Sequence, residues 1–356
     1  MRFNLVINME RFSDDQDMSD IARHTTEMVQ IADEGGFDIA WAAEHHAIEM
    51  TIAPGPFQLL AHWAAHTSRI RLGTACIVAP YWHPIKLAGE AAMFDLLSGG
   101  RLEFGIGKGA YQREFDRMMN GMEQNLGVPM MLEMLPALKA LWQGDYEHDG
   151  EYWQFPTATS CPKPLQTPHP PIWVAARDPG TFDAAVAEGY SVMTWALTRP
   201  FSEAETYMQR FEDALAKAPA GTKRPRFMTM RHTGIYEKPE EADVFIEAIQ
   251  KQGRQFENLF RKLKPVENGF ALEPDPADLN NQNEYERENL LANLMLGTPD
   301  EVIAKLKPYE ELGVDYFCYC ASYHLPLEQQ KKSLRLFIDE VLPAFQKPEP
   351  ARLSAE

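Results

Sequence analysis

The chain has 356 residues, room for two ordinary domains or one large barrel at about 100–200 residues per domain. Its 52 acidic against 34 basic residues, a formal charge of -18, argue against a nucleic-acid partner, whose phosphates would need neutralising. With 45% hydrophobic and 24% charged residues the composition is that of a folded globular protein with a large core. Cys76, Cys161, Cys318 and Cys320 match neither a disulfide framework nor paired zinc-ligand spacing, which predicts a reducing compartment. No run approaches the ~18 apolar residues of a membrane span, and the short apolar stretch at 3–7 ends before Glu10-Arg11. The expectation is a cytoplasmic protein with no membrane partner.

Taken in chain order, a strand at 2–8 (RFNLVIN) leads to a helix at 19–34 that closes at Gly35. A strand at 38–43 (DIAWAA) and a helix at 57–66 follow. Next come a strand at 71–78 (RLGTACIV), a helix at 85–97 and Gly99. The fourth strand, 101–107 (RLEFGIG), precedes a helix at 129–143, and the fifth, 171–176 (PIWVAA), a helix at 182–188 ending at Gly189. A sixth strand at 191–195 (SVMTW) and a helix at 202–218 lead to a seventh strand at 226–236. A helix at 299–312 with Gly313, a strand at 315–320 (DYFCYC) and a helix at 325–341 complete the pattern. Strand alternating with helix implies parallel pairing through right-handed crossovers, and eight such units predict an α/β fold of the (β/α)8 TIM-barrel type. A doubly wound open sheet is the alternative.

The predicted organisation is one domain over 1–343 with two insertions. Residues 145–171 hold YEHDGEYWQF, a hairpin around Asp149-Gly150, followed by a proline-rich connector. Residues 253–293, polar and rich in Asn and Glu, read as a lid. The tail at 344–356 is expected to fray.

In a barrel, functional side chains belong at the C-terminal ends of strands. Strand two runs into Glu44-His45-His46, where one histidine is a candidate acid/base group and the other reading is loop capping. The remaining histidines lack HExxH or similar spacing, so no metal site is predicted. Strand four runs into Gly105-Ile106-Gly107-Lys108-Gly109-Ala110, a weak dinucleotide-fingerprint match but a good place for exposed amides and one cation to hold a phosphate. Ala176-Arg177-Asp178-Pro179-Gly180-Thr181 makes a second candidate phosphate loop at a helix start. Two such loops on one rim suggest a mononucleotide-like cofactor. Ala75 and Cys76 would let a flat ring approach the backbone, with Cys76 read as an apolar residue rather than a nucleophile. Trp195, at the end of strand six, is a candidate stacking surface.

In their order and spacing, FDIAWAAEHH, RIRLGTACIVAPYWHPIKLAGEAAMFDLLSGGRLEFGIGKG, HDGEYWQF, PKPLQTPHPPIWVAA and GTPDEVIAKL resemble the bacterial luciferase-like family of flavin-dependent monooxygenases. The resemblance runs from Arg2 to about Leu342 and implies the same barrel. It implies that His45 is the mouth histidine supporting the reduced flavin and its C4a-peroxy adduct. It further implies that Ala75-Cys76 is the family's non-proline cis peptide under the isoalloxazine. Lys108, Ala176, Arg177 and Thr181 would seat the phosphate, and Tyr111 is the aromatic near the flavin. Gly107 stands where luciferase has a reactive Cys, so a dark monooxygenase is expected rather than a light emitter. The implied cofactor is reduced FMN from a separate flavin reductase, with O2 as co-substrate and a small, apolar organic substrate. Met9, Met50 and Met193 hint at that apolar character. A homodimer through the helices after strands two and three is expected, helped by Ala61, Ala64 and Ala65. Three alternatives stand beside this reading: a deazaflavin-dependent oxidoreductase, a non-catalytic flavin-binding subunit and a zinc hydrolase.

Overall fold

Parallel strands covered on both faces should be almost continuously apolar, and eight segments of the chain meet that condition. In the computed structural model, which describes residues 1–279 and 282–346, these segments are Arg2–Val6, Ile39–Ala42, Arg71–Thr74, Leu102–Gly107, Ile172–Ala175, Ser191–Trp195, Phe227–Ile235 and Tyr316–Cys320. The third resumes at Ile77–Val78 after a break at Ala75 and Cys76. Each pairs in parallel with the next, and the ring closes with Val6 opposite both Trp41 and Cys320. The expected barrel is the fold, and the open sheet is excluded by that closure.

Side chains alternate between two layers, as a pleated strand requires. Val6, Trp41, Trp173, Met193, Met228, Tyr316 and Cys318 fill the interior. Phe3, Leu5, Leu72, Phe104, Val174 and Phe317 point outward into the larger core beneath the helices. Gly105 is dictated by close approach of strand three. The Thr74 hydroxyl donates to the Gly105 carbonyl at 2.6 Å, and a Cβ on Gly105 would lie 1.9 Å from the Thr74 carbonyl oxygen.

The helices predicted from periodicity form, two beginning one residue earlier than expected at Pro56 and Pro84 and one three residues earlier at Pro179, since proline at the first helical position gives up no hydrogen bond. The hairpin at Tyr146–Asp149 and Gln154–Ala158 is antiparallel, and its turn is fastened by the Glu133 carboxylate, which accepts from the backbone N–H groups of Glu151, Tyr152 and Trp153.

Three expectations need correction. The presumed lid does not begin at 253, because a helix over Ala242–Arg261 runs straight through Gly253. That helix buries Phe245, Ile249, Phe256 and Leu259 on one face, and the Tyr285 ring occupies the space a Cβ on Gly253 would need. The upper end of the segment is also helical, over Arg287–Asn293. Between them lies a strap carrying the short hairpin Val266–Glu267 and Phe270–Ala271. The tail does not fray at 344. Phe345 is buried with its ring edge-on to Phe3 at 5.5 Å, and the remainder of the expected tail, 347–356, lies outside the described residues. Among the described residues no helix is long and apolar enough to cross a membrane.

Gly105→Ala is expected to destabilise the barrel by about 3 kcal/mol, because the new methyl meets backbone that cannot yield. Gly107→Ala, whose Cβ would meet only ordinary contacts at 3.4–3.5 Å, should melt near the wild-type temperature. Equal losses in thermal melts would contradict this packing.

Candidate active site

Strand two ends at Ala42, so Glu44, His45 and His46 lie on the following loop and the alternation of a strand does not govern them. Two buried carboxylates direct them instead. Glu44 turns inward, accepting from the Val78 N–H at 2.7 Å, the Trp82 indole at 2.9 Å and one His46 ring nitrogen at 2.8 Å. Glu114, only 1% exposed, accepts from the His46 backbone N–H at 2.6 Å and faces His45 Nδ1 at 3.1 Å. Burial alone would hold the His45 ring neutral. The charge and hydrogen bond of Glu114, with Glu44 behind it, overcome that and raise its pKa above the ordinary histidine value. Tyr111 packs beside His45 with ring centroids 5.4 Å apart, and the Phe260 ring lies 4.8 Å from that of Tyr111.

Strands three to five supply a floor of small side chains. The Ala75–Cys76 peptide bond is cis, and a Cβ on Gly107 would first meet Cys76 and Ala175, at 3.4–3.5 Å. Cys76 Sγ lies 3.4 Å from Met193 Sδ, and burial pushes its thiol up to about 12, in keeping with an apolar rather than nucleophilic role.

Lys108 and Arg177 stand at the rim. Lys108 is near enough to Asp178 to help hold that carboxyl below its usual range, and Arg177 donates to the Trp195 carbonyl at 3.2 Å. Arg210, which the sequence gave no reason to include, donates to the Arg177 carbonyl and adds a third cation. The second predicted loop is more committed than expected. Asp178 caps the helix Pro179–Ala187, taking the Thr181 N–H at 2.9 Å and the Thr181 hydroxyl at 2.7 Å, so Thr181 is buried and engaged. Ala176 is likewise buried, its N–H donated to the Met193 carbonyl. Trp195 sits between His232 and Phe256, at 5.6 and 5.5 Å, with its indole N–H buried and unpartnered.

Beside this cluster a narrow pocket opens between the loops after strands one and two, the Ala242–Arg261 helix and the strap. Ile48, Met50 and Phe256 line it and belong to one apolar cluster with Tyr111 and Trp195. Glu10 also lines it, and burial pushes its carboxyl up to about 8, moderated by Gln252 Nε2 at 3.5 Å. Glu10, Glu114, His232 and Gln252 were missed in the sequence. Glu114 had one signal, an acid in the first turn after the glycine-rich loop, whereas the others are brought in by strands and helices far apart in the chain.

The barrel mouth thus gathers a histidine–carboxylate pair, a floor of small residues and cations on one rim, at the strand ends where barrel sites lie. The sequence pattern described as luciferase-like monooxygenase matches residues 1–316. The oxygenase component of the flavin-dependent trigonelline monooxygenase of Acinetobacter baylyi is 42% identical over 345 residues, covering 97% of this chain and 96% of that one. The crystal structure of the monooxygenase RslO1 of Streptomyces bottropensis superposes with a TM-score of 0.81 at 25% identity, over 97% of this chain and 100% of the other. The oxygenating constituent of 3,6-diketocamphane monooxygenase from Pseudomonas putida, solved with FMN, has the same fold at TM-score 0.78 and 20% identity, over 98% and 99% of the two chains. The chain belongs to the luciferase-like monooxygenase family, as its sequence motifs implied, and is an enzyme of that class.

Two titrations follow from this geometry. Glu114→Gln should lower the pH at which the His45 ring titrates, read by NMR; an unchanged titration would mean that Glu114 does not set it. Glu10, whose folded pKa lies above the ordinary 4.5, contributes stability below about 4.5 that is lost as pH rises through about 8. Glu10→Gln should therefore flatten the fall in melting temperature across that window.

Proposed function

We propose that the chain is the oxygenase component of a two-component system, taking reduced FMN from a separate flavin reductase and using O2 to oxygenate a small organic substrate with an apolar body. The observation that carries this reading is the pairing of rim cations Lys108 and Arg177 with the buried His45–Glu114 couple across a floor without bulky side chains. The name of the Acinetobacter baylyi relative, flavin-dependent and an oxygenase component, supports the flavin and the external reductase.

The residues fit the cofactor. Ala75, Cys76, Gly107 and Ala175 leave room for a ring to lie against backbone. Lys108 and Arg177 would meet the phosphate, with Arg210 in support, while Thr181 positions Asp178 and Ala176 shapes the loop. Trp195 offers an indole N–H that lacks a partner. Reduced FMN, when bound, supplies the electrons that activate dioxygen. With Nδ1 turned to Glu114, His45 would hold or deliver a proton through Nε2, and its raised pKa keeps that proton available near neutrality. Tyr111, Phe256 and the strap would exclude water from the mouth, the role expected of a lid. Met93, Leu96 and Leu97, exposed on the helix Pro84–Leu97, support a homodimer through this side, which sedimentation would show as twice the chain mass.

Purified chain supplied with reduced FMN and isotope-labelled dioxygen should place one labelled oxygen in a product, with trigonelline the first compound to try. His45→Ala should lower turnover about 100-fold, and Lys108→Ala or Arg177→Ala should weaken reduced-FMN binding about tenfold. Tight binding of reduced deazaflavin, with no incorporation of oxygen, would replace this reading with hydride transfer.

A further inference from the structure

Arg231, on strand seven, is a fully buried cation that the proposed chemistry leaves unused. Its Nε donates to the Tyr309 hydroxyl at 2.8 Å. Nη1 donates to the carbonyls of Arg199 at 2.6 Å and Leu197 at 3.3 Å, and Nη2 to that of Pro200 at 3.1 Å. Among the described residues it meets no carboxylate within ion-pair distance. A guanidinium keeps its charge when buried and is costly there unless its surroundings answer it; here the backbone dipoles of one short loop do so. That loop, 196–200, joins strand six to the helix Phe201–Lys217. Within it Leu197 holds a left-handed φ of 53°, a conformation that leucine seldom adopts without support. Thr198 is held separately, its hydroxyl donating to Glu284 at 3.0 Å and its carbonyl accepting from Asn293 Nδ2 at 3.0 Å.

Two contacts that hold Arg177 spring from the two ends of this loop. Trp195, the last residue of strand six, offers its carbonyl to the Arg177 guanidinium at 3.2 Å. Arg210, on the helix that the loop begins, donates to the Arg177 carbonyl. Arg177 is itself exposed, and a long exposed side chain left to itself samples many rotamers. We infer that Arg231 is a positioning residue for the flavin phosphate. By gathering the carbonyls of Leu197, Arg199 and Pro200 it fixes the loop, and through Trp195 and Arg210 it presents Arg177 at the rim. The inference rests on the proposed function and deepens the assignment of its phosphate seat. Arg231 acts on that seat only through the loop, since its own side chain is sealed beneath it. Lysine in its place keeps the charge but offers a point of three donors instead of a planar fork, so it cannot span all four acceptors.

The test is anaerobic titration of the full chain with reduced FMN and with reduced riboflavin, which share the ring and differ in the phosphate. The wild type should bind reduced FMN at least about tenfold more tightly than reduced riboflavin. Arg231→Lys should weaken FMN about fivefold and leave riboflavin within about twofold. Added to Arg177→Ala, the same substitution should cost FMN less than about twofold more, because the two residues act along one path. Tyr309→Phe, which frees Nε without altering the cation, stands in if Arg231→Lys melts below the assay temperature, with a loss of about threefold confined to FMN. Equal losses for both flavins, an undiminished loss in the Arg177→Ala background, or no loss at all overturns the inference while the proposed function stands. A wild-type chain that binds neither reduced flavin removes the proposed function itself, and one that binds both alike removes the phosphate seat and the inference with it.

Discussion

Two nearly inaccessible carboxylates hold the barrel mouth in one piece. A carboxylate taken out of water must be surrounded by donors, and Glu44 and Glu114 find theirs on different loops. Glu44 joins the loop after strand two to the backbone of Val78 and the indole of Trp82. Glu114 joins that same loop to the short helix Gln112–Met118 through His46 N–H and His45 Nδ1. The need to satisfy these charges sets where His45 stands and how readily it holds a proton, and from His45 follow the places of Tyr111 and Phe260.

Charge in the mouth is divided by the same rule. The chain as a whole is acidic, yet its rim collects Lys108, Arg177 and Arg210, while the interior acid Glu10 is left with only an amide beside it. Cations exposed at the rim can meet an anion at low desolvation cost. A carboxyl buried deeper is instead held toward its neutral form by the cost of losing water. The apolar cluster of Ile48, Met50, Tyr111, Trp195 and Phe256 joins these regions, and the surplus of aromatic residues in the composition acquires a place there.

Much of this was legible in the chain. Strand positions followed from β-branched and aromatic runs because a parallel barrel buries both faces of every strand. The candidate loops followed from the rule that barrel sites sit at strand ends, which drew attention to His45, Lys108 and Arg177. The helix over Ala242–Arg261 was not foreseen because its end falls in a segment rich in Asn and Glu that read as a lid, whereas the packed structure sets the Tyr285 ring where a side chain on Gly253 would have been. Thr181 and Trp195 stand at a helix start and a strand end as the pattern placed them, but their partners were not foreseen. An N-cap needs only a local carboxylate, here Asp178, and Trp195 is trapped by residues 37 and 61 positions away.

What the sequence determined by itself is therefore local and periodic: the alternation of strand and helix, the count of eight such units, and the identity of the residues at strand ends. Tertiary structure alone decided which of them meet. Glu114 is 69 residues from His45, and Gln252 is 242 from Glu10, so no spacing in the chain announces either pair. Their meeting comes from the barrel bringing distant loops onto one rim, where burial and unpaired polar atoms, properties of the packed state, turn common side chains into a site.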